Sequence, residues 1–302
     1  MISSRAKGVI LTVVAACGLS LGGVLVRHAD ASAWEIVFWR SLTMSLVLVA
    51  FLGRQHGWRI AREVRRTGWA GLLCGTFLAG TFFCFVAAVQ STTVANTVVI
   101  MSTTPFFAAV FGQLVLGEAV GRRTWIALAI SAVGVTIMCW DSLDTATGLI
   151  GNLYALGLAL CYAGHLVTLR AVGGRVDMVP SVLIAGLIAI VLALPFAWPL
   201  DTSPRSITVA VIMGVVQVGL PLIFVTMAAR YLAAAEVALL AMLEVILGPI
   251  WVWLVLSERP TALALVGGTL VIGALFGNTL ASFGLRAGGG PSKVAEKGGV
   301  SA

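Results

Sequence analysis

Ten stretches of about twenty apolar residues follow one another along this chain, each long enough to cross a bilayer. At ~1.5 Å of rise per helical residue, twenty residues span a hydrocarbon layer of ~30 Å. The stretches are Gly8–Val26, Trp34–Leu52, Trp69–Val89, Val94–Leu116, Thr124–Trp140, Leu149–Leu169, Pro180–Leu200, Ser206–Ala229, Ala235–Leu256 and Thr261–Leu280. In hydrocarbon every backbone N–H and C=O must find its partner within the protein, so such stretches are read as helices. Only 10% of the 302 residues are charged and 60% are hydrophobic. A soluble domain carries roughly 25% charged residues and exposes too much wet surface for this balance. The expected fold is an all-α polytopic membrane protein with ten transmembrane helices.

The charges that remain indicate orientation. With the N-terminus in the cytoplasm, the inner segments hold Arg5, Lys7, Arg54, Arg59, Arg62, Arg65, Arg66, Arg122, Arg123, Arg170, Arg175, Arg230, Arg286, Lys293 and Lys297. The outer ones hold Arg27, Arg205 and Arg259, and Arg40 lies within a span. Fifteen against three is a positive-inside bias that puts both ends in the cytoplasm of a bacterial-type inner membrane. The first block is longer than the apolar core of a signal peptide and is read as a span, not a cleaved leader. The inner loop Gly53–Gly68 sets Trp58, Ile60 and Val64 among arginines, as a helix lying on an anionic leaflet does. The Gly-rich polar tail Arg286–Ala302 is expected to be disordered. The net charge of +7 is parcelled among short loops, which argues against a nucleic-acid partner. The five cysteines, Cys17, Cys74, Cys84, Cys139 and Cys161, give no disulfide framework and no metal spacing.

The chain also repeats itself. LVLGE at Leu114–Glu118 returns as LVLSE at Leu254–Glu258, 140 positions later. The same shift brings Ala95 onto Ala235. At the start of each half, Gly8 and Arg27 bracket 18 residues, as do Gly151 and Arg170. Five spans per half is an odd number, so the second half enters the membrane upside down relative to the first. Inverted repeats of this kind are a mark of secondary transporters. The expected halves are residues 1–140 and 149–280, with residues 286–302 as a tail.

PFFAAVFGQLVLGE (Pro105–Glu118), LEVILGPIWVWLVLSERPTALALVGGTLVIGAL (Leu243–Leu275) and RSLTMSLVLVAFL from Arg40 resemble the drug/metabolite transporter superfamily in its ten-span EamA-type branch. The resemblance covers the chain to about Leu280. It implies two five-helix bundles around a central cavity, with efflux of small metabolites as the common activity. Amino-acid exporters, YddG-like ones included, are the nearest members by this resemblance. The first span reads CGLSLGG (Cys17–Gly23) where the family often has Trp-Ser, so no first-span substrate contact is carried over.

Ionisable groups deep in a membrane are costly and usually functional. Glu244 stands near the middle of the ninth span, as a contact for a substrate ammonium or as a proton site. The 140-residue shift matches it to Thr104 in the polar run MSTTP (Met101–Pro105). Substrate is expected between these pseudo-equivalent positions. Glu244, Thr104, Thr103, Met101, His165, Tyr162, Phe82, Trp39, Asn96 and Gln217 are the candidate substrate-binding residues. For each a packing or helix-pairing role is the competing reading. Glu118, Glu258 and Arg40 are read as gate or interface residues. Pro105, Pro221 and Pro249 fall inside spans, where each removes a backbone hydrogen bond and offers a hinge.

The sequence has no Walker motif, no H-E-x-x-H and no G-x-S-x-G, and no soluble stretch long enough for a catalytic core. The reading is a cofactor-free secondary transporter, not an enzyme, working as a monomer on a small-molecule substrate and in contact with lipid. Export of amino acids or related metabolites is favoured. Efflux of lipophilic cations and a non-transporting membrane sensor or enzyme are the alternatives.

Overall fold

The computed structural model describes residues 4–117, 121–140, 146–172, 178–228, 243–257, 261–263 and 265–274, with residues 231, 240 and 277 besides. Glu118, Glu258, Asp144, Arg175 and the 286–302 tail lie outside the described residues.

The elements in order are α1 (Ser4–Ser20), α2 (Gly22–His28), α3 (Ala33–His56), a 3₁₀ turn (Gly57–Arg59), α4 (Ile60–Ser91), α5 (Val94–Met101), α6 (Thr104–Leu116), α7 (Arg122–Trp140), α8 (Ala146–Val172), α9 (Val179–Ala197) and α10 (Pro204–Ile212). A π segment (Met213–Gly219), α11 (Leu220–Ala228) and α12 (Leu243–Leu256) follow, then α13 (Leu265–Ala274). Among the described residues there is no strand. Among the described residues, seven helical stretches are long and apolar enough to cross a membrane: Ser4–His28, Ala33–Gln55, Ile60–Ser91, Val94–Leu116, Gly148–Val172, Val179–Ala197 and Pro204–Val225. The other three expected spans are occupied by α7, α12 and α13, the last two being shorter apolar helices whose flanks pass outside the described residues.

Helix ends follow local chemistry. Ser32 and Glu35 form a reciprocal capping box at the start of α3. In α4, Gly68 at φ 57° and ψ −148° separates the arginine-bearing turns from the membrane-crossing part, a backbone state open to glycine.

Among the described residues the first span turns at Leu21 between α1 and α2, and two further spans are broken in their interiors. Between α5 and α6, Pro105 has no N–H to offer the Met101 carbonyl. The Thr104 hydroxyl donates to that carbonyl instead, at 2.6 Å. Ser102 and Thr103 do the same for Val99 and Ile100, each at 2.6 Å. Between α10 and α11, the Leu220 N–H reaches back five residues to the Val215 carbonyl, which closes the π segment. Pro221 follows directly and removes the next donor. Pro249, by contrast, lies inside a helix that runs unbroken to Leu256.

Small residues set the helix spacing. Gly75 on α4 lies against Ile184 of α9, where an added Cβ would fall 2.8 Å from the Ile184 Cγ2. Gly214 in the π segment lies against Thr43 and the Arg40 carbonyl of α3. Close backbone approach is how helices gain packing when lipid removes the hydrophobic drive between them. Gly18, Gly22 and Gly71 also meet close neighbours, whereas Gly273 and Gly277 face open space. The core gathers Ile36, Met44 and Leu48 of α3, Leu78, Phe82 and Val86 of α4, and Ala185 and Ala189 of α9. Large apolar side chains such as Trp69, Val191 and Phe196 point outward, as they do where hydrocarbon is the solvent.

The internal repeat has a structural counterpart. Leu114 and Val115 are exposed, and so are Leu254 and Val255. Gly117 takes φ 69° and its N–H bonds the Gln113 carbonyl; Ser257 takes φ 55° and its N–H bonds the Trp253 carbonyl. On the next helices the Trp125 N–H meets the Gly121 carbonyl, as the Leu265 N–H meets that of Thr261. Every pair is offset by 140 residues.

Candidate functional site

Both halves of the chain contribute to one cavity of about 120 Å³. α1 brings Leu19, α3 brings Arg40, and α4 brings Leu78, Thr81, Phe82 and Phe85. Met101 comes from the end of α5, beside the break. From the second half come Leu158 and Tyr162 of α8, Gln217 and Val218 of the π segment, Leu222 of α11 and Glu244 of α12. The two irregular stretches thus place Met101 and Gln217 at the cavity. In membrane proteins, non-helical backbone is tolerated where it is buried in protein or lines a cavity.

Arg40 is buried, with 2% of its surface exposed. Its guanidinium lies 5.0 Å from the centre of the Phe82 ring, within cation–π range. One of its nitrogens donates to the Phe82 carbonyl at 3.3 Å. Among the described residues neither Arg40 nor Glu244 has an ion-pair partner, so the two do not neutralise each other. The Gln217 side-chain oxygen is buried with no hydrogen-bond partner among the described residues. The cavity therefore presents a cation, a carboxylate and an unused acceptor in a wall that is otherwise apolar and aromatic but for Thr81, whose hydroxyl donates to the Phe77 carbonyl.

Of the sequence candidates for substrate binding, Glu244, Met101, Tyr162, Phe82 and Gln217 are brought together here. Arg40, read from the sequence as a gate or interface residue, lines the same space. The others lie elsewhere. Thr103 and Thr104 are buried at the α5–α6 break with their hydroxyls bonded to backbone carbonyls. Asn96 is buried near the start of α5, its N–H bonded to the Thr93 hydroxyl. Trp39 donates to the Thr202 hydroxyl at 3.4 Å. His165 is buried against Cys74, whose sulfur lies 3.1 Å from its Nδ1. The ring stacks on Tyr162 at 5.9 Å, so His165 backs a cavity residue without reaching the cavity. Sequence reasoning missed Leu19, Leu78, Thr81, Phe85, Leu158, Val218 and Leu222. Most are apolar, and nothing in an apolar letter separates a cavity wall from a lipid face. Among the described residues no three His, Cys, Asp or Glu side chains gather as a metal set.

Comparison with known proteins gives a match to the EamA-like transporter family twice, over residues 6–140 and 149–280. The pseudopaline exporter CntI of Pseudomonas aeruginosa is 28% identical over 278 residues, which cover 88% of this chain and 93% of that protein. Human solute carrier family 35 member G1 is 25% identical over 290 residues, covering 88% of this chain and 76% of that one. A solved crystal structure superposes with a TM-score of 0.63 at 14% identity, over 94% of this chain and all of the other, and so shares the fold.

Proposed function

This chain belongs to the EamA-like transporter family, and from that premise we propose that it exports amino acids or related small metabolites by alternating access across a bacterial-type inner membrane. It is a multi-pass membrane transporter and not an enzyme. The observation that carries the export reading is the cavity walled by both halves, in which Glu244 and Arg40 have no ion-pair partner among the described residues. Its volume of about 120 Å³ lies below the ~300–1,000 Å³ of sites for drug-sized ligands, which favours a small solute. The similarity to a pseudopaline exporter supports outward transport of a metabolite.

In this reading residues 1–140 and 149–280 are the two inverted halves, and both chain ends are cytoplasmic. The halves rock about the cavity, with Pro105, Pro221 and Pro249 as hinges and Glu118 and Glu258 as gates at opposite faces. Glu244, Phe82, Met101, Tyr162 and Gln217 contact the solute. His165, Thr103, Thr104, Asn96 and Trp39 hold the helices that carry them.

Glu244 among Phe82, Phe85 and Tyr162 also suits a lipophilic cation, although Arg40 in the same cavity repels one. A transport screen in reconstituted vesicles separates the two. Flux of radiolabelled amino acids above that of empty vesicles supports metabolite export. Flux of fluorescent cationic dyes without amino-acid flux supports drug efflux, and no flux of any solute rejects both. A pH gradient at a fixed substrate gradient then identifies the drive. A changed rate means proton exchange, and an unchanged one means that the solute gradient suffices.

A further inference from the structure

We infer that the cavity recognises a zwitterion by its two charges, with the Arg40 guanidinium taking the solute's carboxylate and the Glu244 carboxylate taking its ammonium. This rests on the export reading and assigns the chemistry of its site. Arginine stays charged in any protein environment and carries five N–H donors in a planar fork. Arg40 is 2% exposed, yet its described partners are one backbone carbonyl and one ring face. A guanidinium held only to lock helices together is normally met by a carboxylate. Here the carboxylate that lines the same small cavity is Glu244, and it stands beyond ion-pair distance. Two opposite charges that line one cavity without pairing with each other are complementary to a solute whose own charges are fixed and separate.

Either charge alone fits badly. An amine without a carboxylate would bind Glu244 and leave Arg40 facing a filled, dewatered cavity. A carboxylate without an amine would leave Glu244 in that state. A buried charge left without its counterpart is strongly unfavourable, and sites built to bind a polar group reject analogues that lack it. The Gln217 oxygen, 6% exposed at its residue and without a partner among the described residues, supplies a further acceptor for an N–H. Leu78, Phe85 and Leu158 leave an apolar wall for the rest of the solute.

The test is competition against radiolabelled L-leucine flux in vesicles containing the whole protein. Isopentylamine is leucine without the carboxylate, and 4-methylpentanoate is leucine without the ammonium. L-phenylalanine with 2-phenylethylamine and 3-phenylpropionate is the matching aromatic series. Unlabelled amino acid is expected to compete at least about ten-fold better than either of its analogues. Arg40→Gln is expected to bring the amine up to the potency of the amino acid, and Arg40→Lys to keep the discrimination. Relative competitor potency does not depend on how much transporter folds, so a poor yield of Arg40→Gln does not imitate this result. The wild-type series also stands without any variant. Amino-acid flux with both analogues competing as well as the amino acid overturns the zwitterion assignment alone, as does unchanged discrimination in Arg40→Gln. No flux of any of the twenty amino acids overturns the export reading, and this inference with it.

Discussion

Ser257 adopts φ 55°, in the left-handed region. There a side chain crowds its own carbonyl at a cost of roughly 1–2 kcal/mol. Gly117 occupies the equivalent place in the first half and meets no such crowding. Ser257→Gly is therefore expected to stabilise the protein by about 1 kcal/mol, and Gly117→Ala to destabilise it by about as much. Thermal unfolding of the purified variants in one detergent measures both, and a lowered midpoint for Ser257→Gly would contradict the assignment. Residue chemistry predicts a different split at Glu244. Glu244→Gln keeps the shape and removes the charge, so flux per folded molecule is expected to drop at least about ten-fold while folded yield holds. Equal loss of both would make the carboxylate a packing element. The sequence exposed Glu244 because a lone carboxylate in an apolar span stands out. It gave no sign that Arg40 lines the cavity, because which way a helix turns its residues is settled by packing. Trp39 and Arg40 are neighbours in the chain, yet one bonds to Thr202 and the other lines the cavity. Tyr162 and His165 differ likewise, the second bonding Cys74 behind the first.

Among the elements, the spans were readable from apolar length alone, since thickness of hydrocarbon fixes their size. Their interruptions were only half readable. The α5–α6 break was signalled by Pro105 after a run of hydroxyl residues. The π segment was not, because MGVVQVG has the same hydropathy in either helical form and Pro221 marks only its end. Both breaks serve the cavity, and Pro105 offers the sharper experiment. In Pro105→Ala a restored N–H competes with the Thr104 hydroxyl for the Met101 carbonyl, and α5 and α6 can join as one straight helix. The expected result is unchanged or higher thermal stability with at least a several-fold loss of flux. A loss of stability with full flux per folded molecule would assign Pro105 to packing. Gly214→Ala probes the π segment from its other side. The new Cβ would meet Thr43 and lie 2.5 Å from the Arg40 carbonyl. Overpacking of this kind costs roughly 1–3 kcal/mol, so its unfolding midpoint is expected to fall measurably.

At the scale of the whole molecule, residues from both halves of the chain line one cavity. A site walled by a single helical unit could open only where that unit ends. A site walled by two similar units can open wherever they part, and if the units are inverted the two openings face opposite sides. The described structure matches residues 114–117 to 254–257 in exposure, backbone angle and hydrogen bond. Such likeness is needed for inversion but does not by itself give direction, because parallel repeats would match as well. The expected direction rests on parity and charge, with five spans expected per half and the Lys and Arg excess expected on one side. Gly121 and Thr261 decide between the two. They are equivalent under the 140-residue shift, both are exposed, and each begins the last helix of its half. Gly121→Cys is expected to react with a membrane-impermeant maleimide from the cytoplasmic side, and Thr261→Cys from the opposite side, each above the background of the native cysteines. Reaction of both from one side would make the halves parallel, and a single cavity served by two opposite openings would no longer follow from the duplication.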